Sequence, residues 1–293
     1  GFPRLAGREV VRVTLLCTEQ VEAFQRDGFV AVEGALGADE LERYGRAVDA
    51  AVASRSAGDG RRVEEKTLYE QSFIQCMNLW EDFPAVRSLS FHPRLGEAAA
   101  ALLGAKAVRV WHDQALYKEP GGRETDPHQD LPFWPITPSD QASVWIPFEG
   151  STREGGGMAY VPGSHRVGLA KFVDITHSLH PEPYDILADP KIRDIEPVWV
   201  EVQPGAVVFH HSLCVHLAAP NASDRMRRVH TVIYFADGCV RSKPWPHVSV
   251  DRQGIAVGEP VRGEVTPIAW PRAEGDWPPA PSDGRVPRLG FQS

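Results

Sequence analysis

A histidine and an aspartate two positions apart are the first residues in this sequence whose spacing suits chemistry. In an extended segment, His128 and Asp130 point to the same side, because side chains alternate along a strand. An imidazole and a carboxylate held side by side can fill two neighbouring positions of an octahedral metal ion. A surface turn in which the aspartate caps an amide gives the same triplet, so a metal centre requires a third ligand from a distant strand.

Histidines near the end of a later apolar segment are the candidates for that third ligand. His210 and His211 are consecutive, so on a strand they face opposite ways and at most one of them points inward. His216 closes the segment and precedes a turn that contains proline, asparagine and serine. For each of the three histidines, the alternative is a hydrogen-bonded residue of the core.

Three arginines follow this turn and lead into an apolar strand: Arg225, Arg227 and Arg228. A buried arginine at the start of an inner strand needs an anion, and the guanidinium geometry suits a carboxylate. For Arg225 and Arg228 we favour solvated turn positions instead. Two imidazoles, one carboxylate and a nearby arginine match a site in which the protein occupies one face of Fe(II) and leaves three positions open.

The order of these motifs resembles the phytanoyl-CoA dioxygenase family of Fe(II)- and 2-oxoglutarate-dependent oxygenases, which includes the ectoine hydroxylases. Members of this family hydroxylate diverse small molecules. The resembling stretches are 117–122, 128–130, 143–148, 157–165 and 216–223, followed by Arg227.

The resemblance implies a role for each matching residue. His128, Asp130 and His216 would bind iron, Arg227 would hold the distal carboxylate of 2-oxoglutarate, and Ser143 would hydrogen-bond this co-substrate. The implied reaction is hydroxylation of a small molecule at an unactivated C–H bond with O2, with release of succinate and CO2. The aspartate at position 130, where related halogenases lack a carboxylate, favours hydroxylation.

Four further residues are candidates for the wall of a substrate cavity. Phe133, Trp134 and Trp111 are aromatic, although aromatic residues beside a strand most often belong to the core. Lys118 is expected to meet either an acidic substrate group or the solvent. Two other functions stay open: a metal-dependent cupin-type enzyme that does not use 2-oxoglutarate, and a non-catalytic barrel that binds a small molecule.

These residues must be positioned by the elements around them, and the sequence pattern predicts a mainly β fold with flanking helices. The expected architecture is a double-stranded β-helix (a cupin-like jelly roll) behind an N-terminal helical layer. After Gly104, short apolar runs alternate with glycine and proline and no long helix interrupts them, which favours antiparallel pairing. We expect one oxygenase domain with helical support in 1–105, a jelly-roll core in 106–250 and a surface strap rich in proline and glycine in 251–293. The predicted helices begin after an N-cap at Thr18 and occupy 38–54, 84–89 and 93–103. The predicted strands are 107–117, 141–148, 158–161, 198–202, 206–210 and 229–235.

The composition restricts the partners and the location. A net charge of −8 argues against nucleic acid, because phosphate binding needs clustered cations. No stretch is apolar for long enough to cross a membrane, and the patch from Val10 to Cys17 lacks the features of a signal peptide. Four widely spaced cysteines are typical of reduced thiols in a cytoplasmic protein. We therefore expect a small-molecule substrate and leave the oligomeric state open.

Other motifs favour structural interpretations. His177, His180 and Asp185 could form a second metal site, but they lie in a proline-containing insertion, 171–194, where chance clustering or a mobile lid explains them better. The glycines of 155–157 favour a turn over a phosphate cradle. His165 belongs to a tight turn and favours a structural role.

Overall fold

The structure is a computed structural model that describes residues 15–179 and 182–282. His180, most of the patch from Val10 to Cys17, and the end of the strap from 283 onward lie outside the described residues. The helices are α1 Thr18–Asp27, α2 Ala38–Ser56, α3 Leu68–Ser72, α4 Leu79–Asp82, α5 Pro84–Ser90, α6 Pro93–Leu103 and α7 Val248–Asp251. The strands are β1 Phe29–Val32, β2 Ile74–Met77, β3 Val108–Tyr117, β4 Thr125–His128, β5 Ile136–Thr137, β6 Gln141–Pro147, β7 Met158–Tyr160, β8 Val198–Val200, β9 Val207–His211, β10 His216–Ala218, β11 Val229–Ala236, β12 Val240–Arg241 and β13 Ile268–Trp270.

Two antiparallel sheets face each other and form a jelly roll, which confirms the predicted fold class. The larger sheet has the order β1-β9-β6-β11-β3-β13, with β2 also pairing with β3. The smaller sheet has the order β4-β10-β7-β8. Side chains that alternate inward from both sheets fill the space between them, where the metal-binding motif also lies.

The helical layer packs on the outer face of the larger sheet. Helix α2 buries one stripe, with Tyr44, Val48 and Val52 in the same apolar cluster as Val144 of β6. Helix α6 ends at Gly104, whose φ of 62° is the left-handed conformation that glycine adopts easily. This layer supports the face of the sheet opposite the candidate site.

The N-terminal and C-terminal parts differ from the prediction because both contribute strands. Strand β1 pairs with β9, while β2 and β13, the latter from the strap, pair with different parts of the edge of β3 that β11 leaves free. These strands are only three or four residues long, and runs of that length give little periodicity. The predicted N-cap is also wrong: Cys17 precedes the helix with extended backbone, and its N–H donates to the side chain of Gln20.

Strand β3 has a bulge at Trp111 in its pairing with β11. Ile233 pairs with His112, whereas the next residue, Tyr234, pairs with Val110, so Trp111 has no partner. A bulge interrupts the alternation of side chains along a strand. Trp111 and His112 therefore both lie on the inner side of the larger sheet, near Ile233.

Candidate metal centre

Two short paired strands and the loop after one of them bring the three predicted metal ligands together. His128 ends β4 and His216 begins β10, and the two residues are direct partners in the antiparallel ladder. Asp130 follows in the adjoining loop, whose backbone N–H groups at 130 and 131 donate to the carbonyl of Ser212. The Nε2 atoms of both histidines lie 3.6 Å from Oδ1 of Asp130. The three donor atoms all lie within 4.8 Å of one another, close enough for one ion to contact all three.

Backbone carbonyls orient both imidazoles toward this point. Nδ1 of His128 lies 2.7 Å from the carbonyl of Asp126, and Nδ1 of His216 lies 2.9 Å from the carbonyl of Cys214. A carbonyl only accepts, so each Nδ1 carries the proton and each Nε2 offers its lone pair to a metal.

The protonation states of the ligands also suit a cation. Burial lowers the pKa of His216 to about 3, which keeps this imidazole neutral. Burial alone would raise the pKa of Asp130, but the neighbouring His216 and the hydrogen bonds with His128 and His210 outweigh it and hold this pKa well below its usual value. A carboxylate and neutral imidazoles are the forms that bind metals.

The second oxygen of Asp130 is held by two residues of the larger sheet. The Ser143 hydroxyl donates to Oδ2 at 3.3 Å, and Nε2 of His210 lies 3.2 Å from the same atom. Ser143 and His210 are partners in the β6–β9 ladder. His211 points the other way, toward Phe24, as the alternation of the strand predicted. The two contacts leave Oδ1 of Asp130 directed at the histidines.

Arg227 supplies the positive charge expected near such a centre. Its side chain is buried, one guanidinium nitrogen donates to the carbonyl of Gly156, and the guanidinium carbon lies 5.7 Å from the centre of the Trp145 ring. No carboxylate of the described residues pairs with it, and its Nε–H has no acceptor there. Burial lowers the pKa of Arg227 only to about 10, so the group is charged at neutral pH. An unpaired buried cation of this kind fits the carboxylate of 2-oxoglutarate.

The other two arginines behave differently from Arg227. The Arg225 side chain is 91% exposed, as predicted. Arg228 is partly exposed and pairs with Asp49 and Glu149, so it is a surface position held by ion pairs. Arg228 faces the helical layer and cannot reach the ligands.

An inner cavity of roughly 110 Å³ joins these groups. The metal ligands, Arg227 and Ser143 line it together with Phe133 and Trp134, two of the four residues predicted for its wall. The ring of Phe133 lies edge-on to His128, with the ring centres 6.4 Å apart. A ligand here would lie between polar groups at one end and aromatic side chains at the other.

The other two predicted wall residues do not reach the cavity. Trp111 lies behind it, because the bulge directs its ring into an apolar cluster where it stacks on His247 at 4.5 Å. Lys118 meets neither solvent nor cavity: it is fully buried, and its Nζ donates to the carbonyls of Arg123 and Ala219. Both positions correct the sequence-based expectation.

Several wall residues were not predicted from the sequence. These residues of the cavity wall are His112, Gln114, Thr231 and His247. Register explains two of them, since Gln114 pairs with Thr231 and Thr231 with Trp145 across three neighbouring strands. Knowledge of the register, which sequence periodicity does not give, would have been needed to find them.

The alternative metal site in the insertion does not form among the described residues. His177 lies 2.8 Å from the carboxylate of Asp126, and Asp185 accepts from the N–H of Leu187. The insertion has its own small core, which includes Val173 and Ile186. Within 15–179 and 182–282, the cluster of His128, Asp130 and His216 is the one group with metal-ligand geometry.

A double-stranded β-helix that carries a His-Asp-His cluster and a buried arginine defines a non-haem iron oxygenase of the 2-oxoglutarate-dependent class. The chain belongs to the phytanoyl-CoA dioxygenase (PhyH) family, which matches it over residues 24–229. Its cofactor is iron, with 2-oxoglutarate as co-substrate.

Known proteins of two kinds resemble this chain. Phytanoyl-CoA dioxygenase domain-containing protein 1 of Bos taurus is 28% identical over 258 residues, which cover 74% of this chain and 89% of the relative. The non-heme alpha ketoglutarate dependent carbocyclase SnoK from nogalamycin biosynthesis is 28% identical with a TM-score of 0.69, covering 86% of this chain and 96% of SnoK. EctD from S. alaskensis has the same fold, with 21% identity, a TM-score of 0.62 and coverage of 82% and 83%.

None of the helices in the described ranges has the length and hydrophobicity that crossing a bilayer requires. All four cysteines lie within the described residues as free thiols, and Cys17 alone among them is exposed.

Proposed function

We propose that this protein hydroxylates a small molecule at an unactivated C–H bond, with 2-oxoglutarate and O2 as co-substrates. The observation that carries the proposal is the meeting of the His128, Asp130 and His216 donors with the unpaired guanidinium of Arg227 in one cavity. One oxygen atom would enter the substrate as a hydroxyl group. The other would enter succinate, as the first carbon of 2-oxoglutarate leaves as CO2.

Each residue has a defined part in this reaction. Bound iron would supply the one-electron and O2 chemistry that protein side chains lack. His128, Asp130 and His216 would hold it on one face and leave the opposite face open. Arg227 would bind the distal carboxylate of 2-oxoglutarate and fix its orientation. The aromatic wall at Phe133 would exclude water from the reacting atoms.

A second outcome of the same chemistry is ring closure. It is favoured by the 28% identity to the carbocyclase SnoK over nearly the whole of that enzyme. Hydroxylation and ring closure begin with removal of the same kind of hydrogen atom, and they differ in whether oxygen enters the product. The two outcomes are therefore separated by the mass of the product.

The test measures succinate formed from 2-oxoglutarate in the presence of Fe(II), ascorbate and O2, for the wild type and for His128→Ala. We expect succinate from the wild type even without substrate, at a low uncoupled rate, and none above background from the variant. Anaerobic calorimetry would measure the binding of Fe(II) and 2-oxoglutarate in parallel. A wild type that neither binds both nor forms succinate would overturn the proposal.

A further inference from the structure

We propose that the substrate is an extended, ring-rich and largely apolar molecule without phosphate groups, and that His112 contacts an oxygen function at its reacting end. The inference rests on the proposed function, because it takes the inner cavity as the place of reaction. It adds the chemical class of the substrate.

A wide groove of about 1800 Å³ lies outside the inner cavity, and the two are continuous. The inner cavity is far smaller, at roughly 110 Å³, so it can admit the end of a large substrate and not its bulk. Six residues line both spaces and form the passage between them: Tyr69, Phe73, Gln75, Met77, Phe133 and His247.

Most of the large, exposed apolar side chains of the described residues line this groove. Eight large apolar side chains are well exposed in 15–179 and 182–282, and five of them line this groove. They come from three separate parts of the chain: α3, the stretch 169–179 and the loop before α7. Apolar side chains that converge from distant segments at the mouth of a cavity form a ligand-binding surface. These five are Leu68, Leu169, Phe172, Leu179 and Trp245.

Aromatic rings make up much of this surface. Phe133 at the passage and Phe172 in the groove lie with ring centres 5.2 Å apart. Trp245 stands on the facing loop with 42% of its area exposed. Flat rings of a ligand stack favourably on such side chains.

The charges of the groove argue against a coenzyme A thioester. Arg61 pairs with both Asp59 and Glu70, and Lys66 pairs with Glu119. The third basic residue with a carboxylate partner is Arg55, which pairs with Asp82, while Lys243 lies 5.9 Å from the Trp245 ring centre. Binding of a diphosphate requires unpaired cations, preferably arginines. Among the described lysines and arginines of the groove, Lys243 alone has no carboxylate partner, and one lysine is a poor match for the several phosphate charges of coenzyme A, so the groove suits an uncharged body.

The inner cavity is lined by polar atoms that lack hydrogen-bond partners. Nδ1 of His112 and the hydroxyl of Thr231 are buried without a hydrogen bond, and both residues line the cavity. Burial lowers the pKa of His112 to about 4, so the imidazole is neutral and offers one donor and one acceptor. A hydroxyl or carbonyl oxygen of the substrate would satisfy this group, and leaving it unpaired in the complex would cost binding energy.

Register places His112 at a suitable distance from the metal ligands. His112 pairs with Ile233, Ile233 with Ser143, and Ser143 contacts Asp130. Neighbouring strands lie about 4.8 Å apart, so His112 and Ser143 are separated by about 10 Å across the sheet. The reacting end of a substrate would lie between them.

The test of the groove measures binding to the metal-free protein by titration calorimetry, with 2-hydroxyanthraquinone and coenzyme A as probes. We expect the ring compound to bind and coenzyme A to bind at least tenfold more weakly. Phe172→Asp should weaken the binding of the ring compound at least tenfold. The control Val257→Asp alters a valine that is 53% exposed outside the groove, and it should leave the affinity unchanged.

The test of His112 compares 2-naphthol with naphthalene, which differ by one hydroxyl group. We expect the wild type to prefer 2-naphthol, His112→Phe to lose this preference, and His112→Gln to retain part of it because an amide also hydrogen-bonds. Circular dichroism would confirm that the variants fold.

Two results would overturn the inference: coenzyme A that binds as tightly as the ring compound, or an unchanged affinity in Phe172→Asp. If His112→Phe still prefers 2-naphthol, the proposed contact between His112 and an oxygen of the substrate would be overturned. Because these titrations omit iron and 2-oxoglutarate, their failure is distinguishable from a failure of the succinate assay.

Discussion

His216 lies directly opposite His128 in the β10–β4 ladder, and the Nε2 atoms of both lie 3.6 Å from the same oxygen of Asp130. The spacing of the two imidazoles is thus set by backbone pairing and by the carbonyls that bind each Nδ1. A site fixed in this way is preorganised before any metal arrives.

Replacement of Asp130 by asparagine should weaken metal binding strongly with little change in shape. The amide removes the negative charge that balances the cation, so we expect Fe(II) affinity to fall more than tenfold and succinate formation to reach background. Asp237→Asn is the matched control, because Asp237 is partly exposed and pairs with Arg109 far from the ligands. Anaerobic calorimetry gives the affinities, and an unchanged Fe(II) affinity in Asp130→Asn would contradict the assignment.

Replacement of Arg227 by glutamine should weaken the binding of 2-oxoglutarate and leave the binding of Fe(II) unchanged. Hydrogen bonds to charged groups contribute about 1.5–3 kcal/mol, so KM for 2-oxoglutarate should rise at least tenfold. Arg225→Gln changes an exposed arginine two positions away and should leave KM unchanged. Equal effects in the two variants would show that the carboxylate binds elsewhere.

Replacement of His210 by phenylalanine should weaken metal binding without removing a ligand. His210 contacts the outer oxygen of Asp130 at 3.2 Å, and loss of such supporting contacts typically costs about 10- to 100-fold in metal affinity. We also expect more 2-oxoglutarate consumed per product formed, which a purely structural defect would not cause. His211→Phe, on the opposite face of the same strand, is the comparison; metal affinity equal to that of the wild type would exclude this role for His210.

Lys118 should make stability depend on pH. Burial, followed by the charge of Arg227, lowers its pKa from 10.5 to about 6, so between these values the unfolded chain binds one proton more than the folded chain. Stability therefore rises with pH in this window, by at most about 1.4 kcal/mol per pH unit from this residue. Urea unfolding between pH 7 and 9 should show this slope in the wild type and its loss in Lys118→Met.

The exposed Lys191→Met serves as the control for that slope. It should unfold with the same pH dependence as the wild type. An identical slope in Lys118→Met would mean that the buried ammonium is not deprotonated in this range.

The sequence was sufficient for the residues whose roles depend on local spacing. His128 and Asp130 are two apart on an extended segment, His216 precedes a recognisable turn and Arg227 follows it, and the resemblance to the family selected these four residues. The wall of the cavity depended on strand register and on the bulge at Trp111, which no periodicity reveals. His112 was therefore missed, and Trp111 was expected where His112 lies.

Burial of a titratable side chain was the second property that the sequence did not reveal. Lys118 was expected at solvent or substrate, and yet two backbone carbonyls hold it in the interior. Several short strands were also missed, among them β4, β10 and β13, because each has only three or four residues. Tertiary pairing, and not local preference, stabilises such strands.

The proposed iron ligands His128 and His216 belong to the smaller sheet, whereas Arg227 leads into β11 of the larger one. A bound 2-oxoglutarate molecule that contacts the metal and Arg227 would therefore link the two sheets across the space between them. Its affinity would then report on how well the two layers are aligned. A substitution in the packing between them, at Trp145 or Val208, would impair turnover by shifting one half of the site against the other.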